Sequence, residues 1–94
     1  MLGAAVAVWL DALRAREAAL DAGREACMRY GVQFLDDTVA FVRLRLARDE
    51  EGRLRLVRHY SFEFSEDGSS RRSGAIRVRG RFAEDVQLEP YPVH

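Results

Sequence analysis

Few residues in this chain are equipped for covalent or metal chemistry. The only imidazoles are His59 and His94, and the only thiol is Cys27. A zinc-type site needs three or four His, Cys or carboxylate donors at ligand spacing, and neither histidine has such neighbours in sequence. The acidic pairs Asp36-Asp37 and Glu84-Asp85 adjoin strand-like segments. Such residues commonly close turns, and successive carboxylates on a regular strand point to opposite faces, so neither pair is expected to hold a metal or act as an acid–base couple. Ser65, Ser69, Ser70 and Ser73 lie in or beside a polar loop, without the G-x-S-x-G elbow that presents a nucleophilic serine. The G-S-S-R-R-S-G run from Gly68 to Gly74 is only loosely like a phosphate cradle. It lacks the P-loop lysine and a helix after it. Cys27, set among alanines on a helical run, reads as a small core residue. A lone cysteine allows no internal disulfide, which favours a reducing compartment. No catalytic, cofactor-binding or metal residue is assigned, and a non-enzymatic role is expected.

The remaining chemistry is that of arginine. All fifteen basic residues are Arg, matched by fifteen acidic ones, so no global charge draws the chain to nucleic acid or an anionic surface. Arg43, Arg45, Arg53, Arg55, Arg77, Arg79 and Arg81 all take odd-numbered positions on alternating segments. They form a candidate anion or partner face, because guanidinium forks match carboxylate and phosphate and like charges on neighbouring strands repel. Glu63 and Glu89 share that parity and are expected to neutralise part of it. The alternative is a solvated face reflecting an arginine-biased composition. Nucleic acid is disfavoured, since Tyr60, Phe62 and Phe64 fall on the opposite parity and leave no stacking platform.

The elements that would position these residues follow from periodicity. Residues 2–30 contain no proline, few β-branched residues and much Ala, Leu, Arg and Glu, which predicts one helix, stopped by Gly31. Gly23 is an interior weak point of about 1 kcal/mol relative to alanine. Ala5, Val8, Ala12, Ala15, Ala19, Ala22 and Ala26 form a small-residue seam at helical spacing, with Trp9, Leu13, Leu20, Cys27 and Tyr30 beside it. The seam is expected either to pack on the chain's own sheet or to form a helix–helix dimer. Glu25–Arg29 and Asp21–Arg24 have the spacing of favourable pairs.

Beyond Gly31 the period becomes two. A short strand over 32–35, a turn at Asp36-Asp37 and a strand over 38–48 are predicted. Pairing Leu46 with Leu56 and Val42 with Tyr60 requires a three-residue loop, Glu50-Glu51-Gly52, with Gly52 left-handed. Arg58 then falls on the apolar face and needs a bulge or a snorkelling side chain. A loop over 65–70 precedes a third strand carrying Ile76, Val78 and Phe82 inward. Ala83-Glu84-Asp85 turns into a last strand over 86–89, which Pro90 and Pro92 mark as an edge.

The whole is expected to be one α+β domain, residues 1–94, with an N-terminal helix (1–30) packed on a meandering antiparallel sheet of four to five strands (31–94). A 29-residue helix spans about 43 Å and a ten-residue strand about 33 Å, so the apolar helix start should overhang the sheet. The ten apolar or small residues 1–10 reach only about 15 Å, half of a bilayer core.

Several segments together resemble a family of short, single-pass proteins of Gram-negative bacteria that carry a domain of unknown function. They are Arg-Ala-Arg-Glu at 14–17, Cys27, Val-Gln-Phe-Leu-Asp-Asp-Thr-Val at 32–39 and Gly-Arg-Leu at 52–54. Tyr-Ser-Phe-Glu-Phe-Ser-Glu-Asp-Gly at 60–68, Gly74, Gly80 and the Leu-Glu-Pro-Tyr that ends at Tyr91 complete the set. The resemblance implies an N-terminal membrane helix leading into a small domain, and no established activity. The ten-residue apolar lead departs from that pattern. With an anchor, the Arg-rich domain belongs on the cytoplasmic side of the inner membrane; without one, in the cytoplasm. Architecturally, a long helix on an antiparallel sheet is also similar to pilin-like secretion subunits, although their processed leader is not visible. The expected role is a membrane-associated interaction domain contacting a membrane surface or membrane protein, with no cofactor and no small-molecule substrate. The alternatives are a soluble homo-oligomer, associating through the seam or a sheet edge, and the pilin-like subunit.

Overall fold

The predicted helix forms over its full length, and its end shows why. In the computed structural model, which describes residues 2–89 and only the backbone at residue 2, helix α1 spans Leu2–Tyr30. Gly31 adopts φ 70°. Its N–H bonds the Met28 carbonyl and the Val32 N–H bonds the Cys27 carbonyl. This pair of bonds satisfies two of the four carbonyls that the helix end leaves free. The two surface pairs also form, at 3.0 Å for Arg29–Glu25 and 3.3 Å for Arg24–Asp21.

The rest is a four-stranded antiparallel meander, β1 (Gln33–Arg48), β2 (Leu54–Ser65), β3 (Arg72–Arg79) and β4 (Phe82–Leu88), in the order β1-β2-β3-β4. The β1–β2 loop is the three-residue one: Asp49 N–H bonds the Arg53 carbonyl, Gly52 has φ 80°, and Leu46 faces Leu56. Further along the register slips. Phe41, not Val42, pairs with Tyr60, because Val42 is the extra residue of a bulge. Residues 36–39 of β1 likewise stand opposite the single Phe62 of β2, so Asp36-Asp37 is a strand irregularity and not a turn between two strands. Thr38 holds that irregularity to β2: its hydroxyl donates to the Leu35 carbonyl at 2.6 Å and accepts the Glu63 N–H at 2.7 Å.

The β3–β4 connection also lies earlier than expected. Arg79 pairs with Phe82 across Gly80-Arg81, with Gly80 at φ 61°, the glycine-first pattern of a two-residue hairpin. Phe82 therefore opens β4 and is 80% exposed instead of filling the core. The last strand starts at Phe82, and Pro90 and Pro92 lie outside the described residues.

One face of the sheet carries α1. Phe62, Phe64, Ile76 and Val78 meet Ala15, Ala19 and Cys27 in a single buried cluster. Gly23 is what brings helix and sheet this close. A Cβ there would lie 2.6 Å from the Phe34 ring, so its helix-propensity penalty is offset by packing. Asp11 meets Arg58 of β2 and Gly23 meets Phe34, which pairs with Phe64. The helix thus runs parallel to β2, and its residues before Asp11 point towards the β1–β2 turn.

Candidate functional site

The two faces of the sheet present two different surfaces. On the face away from the helix, cross-strand pairing aligns Arg43–His59–Arg77–Asp85 in one row and Arg45–Val57–Arg79–Phe82 in the next. Two pairs of arginines thereby wall a trough floored by His59 and the buried Val57. A hollow of about 150 Å³ lies there, lined by Arg45, Val57, His59, Arg77, Arg79 and Glu84 among others.

The seven-arginine ladder is not uniform. Arg77 and Arg79 share Glu84 at 2.9 and 2.6 Å, and Arg55 bonds Asp49 at 3.0 Å. Arg53 sits in the loop before β2, 3.6 Å from Glu51. Arg81 lies in the β3–β4 turn and reaches across to Asp11 of the helix at 3.4 Å, so it does not belong to the outer face. Arg43 and Arg45 form no ion pair among the described residues. The expected neutralisers are elsewhere: Glu63 pairs with Arg71, and Glu89 accepts the Ser73 N–H. Glu84 takes that role because β4 bulges opposite Arg77 and Val78. The bulge lets the successive carboxylates of Glu84 and Asp85 both approach the arginine side, where a regular strand would separate them.

Burial, reinforced by the guanidiniums of Arg43, Arg45 and Arg77, pushes the His59 imidazole below its ordinary value. Its Nε2 is buried without a hydrogen-bond partner among the described residues. Cys27, 1% exposed, has its thiol pushed up by burial, which makes it a poor nucleophile. In the 65–70 region the loop amides are already engaged. The Asp67 carboxylate accepts the N–H groups of Ser69 and Ser70 and both their hydroxyls, and these bonds hold it well below the usual carboxylate range. Among the described residues no three His, Cys or acidic side chains cluster as metal donors.

The helix-bearing face has a sheltered half and an open half. Ala15, Ala19 and Ala26 of the seam are buried on the chain's own sheet, and Ala12 and Ala22 are half-buried. Ala5 and Val8 are exposed, as are Trp9 at 61% and Leu13. The boundary is a bridge the sequence did not disclose. Arg58, only 5% exposed, bonds Asp11 at 3.1 Å. Beyond it, Leu44, Leu46 and Leu54 lie on the same side of the sheet as the helix yet stay open, Leu46 at 63%. Helix end and hairpin end thus leave the bridge in the same direction with their apolar side chains uncovered.

No curated protein and no solved structure matches the chain. The profile of the family described as "Protein of unknown function (DUF3301)" matches residues 1–90, the whole of the helix and meander just described, and the chain therefore belongs to that family.

Proposed function

We propose that this chain is a non-enzymatic interaction domain that works at a membrane surface, seated through the open half of its helix-bearing face. The observation that carries the reading is the joint exposure of Val6, Val8, Trp9, Leu10 and Leu13 on α1 with Leu44, Leu46 and Leu54 on the hairpin. Large apolar side chains grouped in water mark a partner or membrane contact, and tryptophan favours the membrane–water boundary. No described helix is long and apolar enough to cross a membrane; the proposed contact is interfacial, of the kind made by amphipathic helices. In this reading the domain lies on the cytoplasmic side, the reducing compartment that its lone Cys27 favours.

Co-sedimentation with neutral and anionic vesicles, each at low and high salt, tests this. Salt-resistant binding to both vesicle types is expected, reduced at least about tenfold in Trp9→Glu/Leu46→Glu, because a charge in the apolar contact costs about 2 kcal/mol or more. Failure of the unaltered chain to sediment with either vesicle overturns the reading.

A second reading is favoured by the sheet itself. β1, 16 residues long, pairs only with β2, and an uncovered strand edge is a template for another chain. Association of two copies through β1 predicts a dimer by light scattering; a monomer over a wide concentration range ends it.

A further inference from the structure

We infer that the outer face of the sheet holds a binding site for a phosphate group, in the trough between Arg43/Arg45 and Arg77/Arg79 above His59 and Val57. The site goes beyond the membrane-surface reading and does not depend on it, since it uses the opposite face.

Arg43 and Arg77 are the immediate cross-strand neighbours of His59, and Arg45 and Arg79 those of Val57. Neighbouring strands lie about 4.8 Å apart, so the two arginine walls rise about 10 Å from each other at their bases. Arg45 from one wall and Arg77 and Arg79 from the other line the hollow between them. The hollow there, about 150 Å³, is many times the ~10–15 Å³ that a single water requires and admits a phosphate.

Charge then selects the occupant. Arg45, Arg77 and Arg79 line the hollow and Arg43 neighbours it across from His59; among the described residues Glu84 is the one carboxylate bonded to any of the four, bridging Arg77 and Arg79. Arg43 and Arg45 carry no counter-ion among the described residues. Asp85, at the β4 end of the His59 row, bonds Gln87 and repels an anion from that side. The favourable position is therefore the β1 side, where two adjacent unpaired forks offer the bidentate geometry that phosphate takes. The surplus of positive charge suits a dianion better than a single carboxylate. A bound anion also relieves the repulsion between the arginines and His59, whose Nε2 lies unpartnered at the trough floor. His59 is thus a built-in reporter of occupancy.

The phosphate could be a free anion or belong to a lipid headgroup, and one experiment separates these. The assigned His59 imidazole resonances are followed by NMR in the full chain, first against inorganic phosphate and then beside phosphatidylglycerol vesicles. Saturable shifts with phosphate are expected, together with a rise in the pH at which His59 titrates. Arg43→Gln/Arg45→Gln should lose at least about tenfold in affinity. Arg24→Gln/Arg29→Gln, on the helix, removes the same net charge and should bind as the parent does. A phosphate response without salt-sensitive vesicle binding upholds the site with a soluble source. Salt-sensitive vesicle binding that Arg43→Gln/Arg45→Gln abolishes upholds it with a headgroup source, and the salt-resistant apolar contact remains as a separate signal. No response to either, or equal losses in the two double variants, overturns it.

Discussion

Asp11 and Arg58 show how a single carboxylate can fix the placement of an element. Arg58 is buried at 5% exposure, and Asp11 is its ion-pair partner while also reaching Arg81. Asp11→Ala strands a buried guanidinium and should destabilise the fold by about 3 kcal/mol in denaturant melts. Arg58→Met combined with Asp11→Ala should cost less than Asp11→Ala alone, since the double change leaves no uncompensated charge. Gly23→Ala poses an opposite test. Alanine gains about 1 kcal/mol of helix propensity, yet its Cβ meets the Phe34 ring at 2.6 Å. The overpacking should win, with net destabilisation of about 1–2 kcal/mol. His59 predicts a pH effect. Its folded value lies below the unfolded one, so the unfolded chain takes the proton first as pH falls. The stability it contributes is complete above about pH 6.5 and is lost as pH falls through the folded value. The melting temperature should decline below pH 6.5, and His59→Gln should flatten that decline. The residue types on the arginine strands were legible from parity alone. Which arginines are free was not, because Glu84 reaches them only through a bulge and Asp11 lies 47 residues from its partner Arg58.

At the scale of elements, the periodic parts were readable and the aperiodic parts were not. Helix α1 and its stop at Gly31 follow from propensity and one glycine, and the Glu50-Glu51-Gly52 loop follows from matching two apolar stripes. The irregularities at residues 36–39, at Val42 and at Glu84 leave no mark in an alternating pattern, since each replaces a ladder bond with local contacts. Gly80-Arg81 was missed because Arg81 and Phe82 continue the alternation across the turn. Thr38 is the side chain that replaces the ladder in β1. Thr38→Val should therefore cost about 1–2 kcal/mol, a polar group being left without its partner, and should speed amide exchange at Glu63 more than at residues of β3. Val42 also matters beyond its own strand: the extra residue turns Phe41 inward onto Tyr60, at a ring separation of 5.9 Å, and keeps Arg43 on the outer side.

For the whole molecule, the mismatch between helix and sheet lengths was the strongest inference from counting residues, and the exposed run from Gly3 to Leu10 agrees with it. The open hairpin opposite that run was not foreseen, because an apolar alternating strand reads as core whether or not anything covers it. The molecule is 53 Å long and 19 Å thick, so each half of the helix meets a different environment. A consequence lies in the order of assembly. Asp11 and Arg81 are 70 residues apart, and α1 packs on all four strands rather than on any one hairpin. The helix is made first, but its seat is finished only when β4 has been synthesised. At 5–20 residues per second, the nascent helix waits roughly 3 to 12 s with its whole alanine-lined flank bare. Ribosome-bound chains stopped before Phe82 should therefore leave the helix open to protease or to lipid, and chains tethered by a linker that lets β4 clear the ribosome should protect the flank carrying Ala15, Ala19, Ala26 and Cys27.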